Sequence, residues 1–135
     1  MSEDALNLSL PLQHLEPKTH AGPPADGATV VYHDAPGPLP LATGTFESDG
    51  GALIITCSGS GSAPQAPDTI GMGISIDNRF AGMAYARVAN TSTHFFSNTF
   101  AFGPLKAGSH TMYVFPLGNT QTSQDDVFNV SFTSQ

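Results

Sequence analysis

The sequence predicts an all-β protein: an eight-stranded antiparallel jelly-roll sandwich with an extended N-terminal arm. Three observations predict it. Charged residues make up 11% of the 135-residue chain, well under the usual share of about a quarter. Turn formers are plentiful, with 14 Gly and 11 Pro. From Thr29 onward, short apolar runs alternate with period two and are separated by Gly, Pro, Asn and Asp clusters, with no convincing helical pattern. The length fits one domain of roughly 100–150 residues, divided here into an arm (1–28) and a sandwich (29–135).

The arm contains Pro11, Pro17, Pro23 and Pro24 and no aromatic residue, so it cannot build a core of its own. Within it Leu6, Leu8, Leu10 and Leu12 alternate with Asn7, Ser9 and Pro11, which gives an extended segment one apolar face. Pro11 cannot donate a ladder hydrogen bond and restricts the segment to a sheet edge. These four leucines are the candidate partner-binding residues.

The strands follow in order. Thr29–Tyr32 is a strand, stopped by the breaker Asp34-Ala-Pro-Gly-Pro-Leu-Pro40. Leu41–Ser48 is a second, and Asp49-Gly50-Gly51 reads as a tight hairpin into Ala52–Ser58. Residues 59–67 read as a loop. Ile70, Met72, Ile74 and Ile76 alternate with Gly71, Gly73 and Ser75, and Asp77-Asn78 turns the chain into Arg79–Val88, since both residues tolerate positive φ. In the next strand His94, Phe96, Asn98, Phe100 and Phe102 share one face, while Phe95, Ser97, Thr99 and Ala101 share the other. Ser109–Leu117 and a segment carrying Phe128, Val130 and Phe132 complete eight.

Gly71-Met-Gly-Ile-Ser-Ile-Asp77, Leu105-Lys-Ala-Gly-Ser-His-Thr111, Asn119-Thr120 and Asp126-Val-Phe-Asn-Val130 occur in that order. This series resembles the compact jelly rolls of bacteria and phages that are similar in fold to C1q and tumour necrosis factor domains. The resemblance covers roughly residues 44–133. It implies a non-enzymatic, usually trimeric module that coats, caps or binds.

Composition narrows the function. Four Lys+Arg against 11 Asp+Glu give a net charge of −7, which argues against nucleic acid as a partner, because that affinity needs clustered basic residues. No apolar run reaches the roughly 20 residues of a membrane span, and the N-terminus lacks a basic start followed by an apolar stretch, so neither membrane nor secretion signal is expected. Cys57 has no partner for an intramolecular disulfide, and as part of an apolar face with Leu53 and Ile55 it should be buried and inert.

Candidate chemistry is sparse. His14, His20, His33, His94 and His110 show no pair at i,i+2 or i,i+4, which disfavours a metal site; His110 reads as a residue that packs or hydrogen-bonds its turn. Asp77, Asp125 and Asp126 read as surface turns rather than calcium ligands. Ser58-Gly-Ser60-Gly lacks the nucleophile elbow. No catalytic residue, cofactor or metal is assigned. Sugar binding would draw on Tyr32, Tyr85 and Tyr113 in the absence of Trp. Nine Phe exceed the needs of one narrow core, so Phe95, Phe96, Phe100 and Phe102 are candidates for a subunit interface. The functional expectation is a homotrimeric capsid-decoration or fibre-tip protein of a phage or virus-like particle, located in the virion, bound to a capsid or other particle protein through its arm. The alternative is a soluble lectin of the same fold.

Overall fold

The computed structural model describes residues 27–135. Eight strands follow one another: β1 (Thr29–Pro36), β2 (Gly44–Ser48), β3 (Gly51–Gly61), β4 (Asp68–Ile76), β5 (Arg79–Val88), β6 (His94–Leu105), β7 (Gly108–Pro116) and β8 (Val127–Ser134). They form two four-stranded sheets, ordered β1-β8-β3-β6 and β2-β7-β4-β5. The antiparallel pairs β1–β8, β2–β7, β3–β6 and β4–β5 are nested one inside the next. That nesting is jelly-roll connectivity, as if one long hairpin were wound into a sandwich.

Register decides what is buried. On β3, Leu53, Ile55 and Cys57 point inward and sit opposite Phe132 and Val130 of β8 across the Ile55 and Cys57 rungs. From the other sheet Ile70, Met72, Ile74 and Ile76 of β4 meet them, with Met112 and Val114 of β7 alongside; all six are fully buried. Burying each large aliphatic side chain contributes roughly 1.5–3 kcal/mol, so this seam is the main source of stability. At Gly59 the ring of Phe128, from the neighbouring strand β8 of the same sheet, lies directly over the β3 backbone. A Cβ there would lie 2.4 Å from a ring carbon of Phe128, so the bare backbone is what lets that ring enter.

The open sides of the sandwich are closed by specific contacts. On one side the Asn98 side-chain amide donates to the Met83 carbonyl at 2.8 Å, linking β6 to β5. The Arg79 guanidinium lies 5.3 Å from the Phe102 ring centre on that same side. On the other, the Tyr32 hydroxyl donates to the Ala42 carbonyl at 2.7 Å, tying β1 to the approach of β2.

Several expectations need correction. Asp49-Gly50-Gly51 does not form a hairpin, because β2 pairs with β7 while β3 lies in the other sheet. The two glycines, at φ 98° and 90°, instead turn the chain from one layer to the other. β3 runs on through Gly61, so Gly59-Ser-Gly61 is strand rather than loop. Phe96 is buried in the core and is not available to an interface, while Phe100 and Phe102 are half-buried and pack against that core. Phe95 alone of the four is exposed. Leu6, Leu8, Leu10 and Leu12 lie outside the described residues.

Candidate functional site

The largest concentration of exposed apolar side chains lies on the outer face of the β2-β7-β4-β5 sheet. The cause is visible strand by strand. β4 alternates, so inward Ile70, Met72, Ile74 and Ile76 leave Thr69, Gly71, Gly73 and Ser75 outward. The register sets Tyr85 beside Gly71, Met83 beside Gly73 and Phe80 beside Ser75. From the other flank β7 sets Phe115 beside Gly73 and Tyr113 beside Ser75. The result is a floor of small residues between two aromatic walls.

These rings stand clear of the core. Phe80 is 58% exposed, Tyr85 56%, Tyr113 45% and Met83 38%. Tyr113 and Phe115 stack, with ring centres 5.6 Å apart and planes at 21°, and Phe80 meets Phe115 at 6.4 Å and 57°. A Cβ on Gly73 would come within 2.4 Å of the Phe115 ring, which explains why this ring lies down on the sheet. Among the described residues the Tyr85 and Tyr113 hydroxyls have no hydrogen-bond partner. Arg87 marks one end of the face and donates to Thr69 at 3.3 Å. A contiguous aromatic surface of this kind makes this face the candidate interaction site.

Next to this face, the turn between β4 and β5 is clasped to β7. Asp77, at φ 52°, accepts from the Thr111 amide at 3.0 Å and is bonded to His110 Nδ1 at 2.5 Å. His110 Nε2 bonds to the Lys106 carbonyl at 2.7 Å, and its ring stacks on Phe46. His110 is raised above its ordinary pKa chiefly by the Asp77 hydrogen bond, and Asp77 is lowered chiefly by His110. Both imidazole nitrogens are engaged, so the pair acts as a structural fastener.

The remaining candidates are also structural. Asp126 is buried rather than on a surface turn. Its carboxylate accepts from the Ser60 hydroxyl at 2.5 Å and from the Ser123 amide at 2.8 Å, anchoring the loop before β8. His94 bonds to Asn90 at 2.9 Å within its own turn. Cys57 is buried, and burial pushes its thiol up to about 12. Among the described residues no three of His, Cys, Asp and Glu come together to hold a metal, and no helix is long and apolar enough to cross a membrane.

Sequence reasoning singled out Tyr85 and Tyr113 but missed Phe80, Met83 and Phe115. The available signal was the small-residue side of β4. Gly71, Gly73 and Ser75 give that strand a bare outer face, which rings on the neighbouring strands can cover.

The sequence matches no protein-family model and no curated protein. Solved structures match in fold. The chain is similar to the Eiger TNF of S. frugiperda, with a TM-score of 0.50 and 16% identity, covering 86% of this chain and 89% of that one. It also matches dimeric latent PorU of Porphyromonas gingivalis at a TM-score of 0.48 and 9% identity, covering 79% of this chain and 12% of that one. The chain thus has the tumour necrosis factor-like jelly-roll fold.

Proposed function

We propose that this protein is a non-enzymatic assembly module: a homotrimeric jelly roll that serves as a capsid-decoration or fibre-tip component of a phage or virus-like particle, held there by its N-terminal arm. The observation that carries the reading is the exposed aromatic face of Phe80, Tyr85, Tyr113 and Phe115 on an uncharged floor, a surface suited to a protein partner. Low charge and the alternating leucines of the arm support the same reading. Co-sedimentation of the purified chain with empty shells, together with its mass by light scattering, tests it. Binding to shells by a trimer is expected; a monomer that binds no shell sinks the proposal.

A second reading, a carbohydrate-binding lectin, draws on the two unspent phenols of Tyr85 and Tyr113 on that face. Sugars stack on aromatic rings and need hydroxyl partners, which these residues supply. A glycan array separates the two readings, because a decoration protein binds no glycan.

A further inference from the structure

We propose that the aromatic face of the β2-β7-β4-β5 sheet receives the leucine segment of the arm, residues 5–12, from a second copy of this chain. The inference rests on the reading above that the arm attaches this protein to a protein partner; it names that partner as a second copy of this chain and gives the surface on which the segment docks.

Three matches favour this occupant. The first is length. Leu6 to Leu12 spans six residue steps, about 20 Å if extended, and the floor from Thr69 to Ser75 spans the same six steps. The second is periodicity and polarity. Residues 5–12, Ala-Leu-Asn-Leu-Ser-Leu-Pro-Leu, carry no charge and have leucine at every second position from Leu6 to Leu12. The floor between the rings is likewise uncharged. The third is the charge at the ends. Glu3 and Asp4 precede the leucine run, and Arg87, one of only four basic residues in the chain, marks one end of the receiving face.

The spacer is long enough to reach a neighbouring copy. Fourteen residues lie between Leu12 and Gly27 and reach about 45 Å when extended. β1 is at the edge of the opposite sheet, so reaching its own aromatic face means doubling back around β2 over a path of only about 25 Å, given sheets about 10 Å apart and strands about 4.8 Å apart. A spacer carrying Pro17, Pro23 and Pro24 favours extension over such a reversal.

The test uses two full-length variants. Leu8→Ser/Leu10→Ser keeps the face and disables the segment; Phe80→Ser/Tyr113→Ser keeps the segment and disables the face at two exposed positions. A synthetic peptide of residues 1–16 titrated into the first variant should shift the NMR signals of Gly71, Gly73, Ser75 and Tyr85. Its affinity should fall by about tenfold or more for the second variant, and for a peptide with the same two leucine substitutions. Mixing the two variants should yield a heteromeric complex through the one intact arm and one intact face, detected by light scattering. Peptide shifts on the opposite sheet, no shifts at all, or a mixture no larger than its components would overturn the proposal. Should Phe80→Ser/Tyr113→Ser unfold, Tyr85→Ser tests the same face at a position 56% exposed. A trimer that binds shells but leaves this face untouched by peptide ends this inference alone. A chain that takes the peptide here yet neither trimerises nor binds shells ends the particle reading instead.

Discussion

At the scale of single residues, packing rather than chemistry explains the most constrained positions. Cys57 sits on the inward face of β3, and its thiol is pushed up to about 12 by burial, so almost no thiolate exists at neutral pH. A thiol reagent should leave it unlabelled for hours in buffer and label it at once in denaturant; rapid labelling of the native protein would mean that β3 opens freely. Gly59 is more sensitive. Gly59→Ala drives a methyl into the Phe128 ring, with Phe96 3.0 Å away on its other side, so neither neighbour can give way easily. Overpacking of this kind costs roughly 1–3 kcal/mol, which chemical denaturation should register as a lower midpoint with an unchanged slope. The inward set Leu53, Ile55 and Cys57 was legible from alternation alone. The need for glycine at 59 was not, because it arises from a ring 69 residues further along the chain.

At the scale of elements, strand identity was readable, and pairing was readable only where the Asp77-Asn78 turn joins two neighbours. The runs of β4 and β5 and the Asp77-Asn78 turn between them follow from period-two alternation and from two residues that tolerate positive φ; they are found at φ 52° and 67°. Asp49-Gly50-Gly51 misled because the same glycines serve a hairpin or a crossover between sheets, and only long-range pairing decides between them. The aromatic face was hidden for the same reason, since one of its two walls comes from β7, which lies beside β4 in space but three strands further along the chain. The clasp of Asp77 and His110 gives this region a pH signature. His110 is raised, so its contribution is complete below its ordinary 6.5 and is lost as pH rises through its folded value. Asp77 is lowered, so its contribution is present above its ordinary 3.8 and is lost as pH falls through its folded value. The clasp is therefore at full strength between about pH 4 and 6.5. The thermal midpoint should fall between pH 6 and pH 9, and Asp77→Asn should flatten that dependence while sparing the turn, because Asn also tolerates positive φ. An identical slope in the variant would assign the pH dependence elsewhere.

At the scale of the whole molecule, the sandwich and the arm divide stability from attachment. Among the described residues every strand has its partners within residues 29–134, and four strands of each sheet lie there. The core cluster runs from Leu39 to Phe132, and Tyr32 closes the β1 side through its bond to Ala42. Stability thus has sources that do not involve the first 26 residues. Removing residues 1–26 should leave one cooperative unfolding transition, with a midpoint within about 3 °C of that of the full chain, since even 1 kcal/mol would move a domain of this size by several degrees. The same truncation should abolish association through the leucine segment, because Leu6, Leu8, Leu10 and Leu12 go with it. Scanning calorimetry reads the first outcome and co-sedimentation with shells the second. A truncated chain that melts far earlier would make the arm part of the fold. One that keeps its transition and still sediments with shells at full affinity would leave the arm without the attachment role that the particle reading gives it.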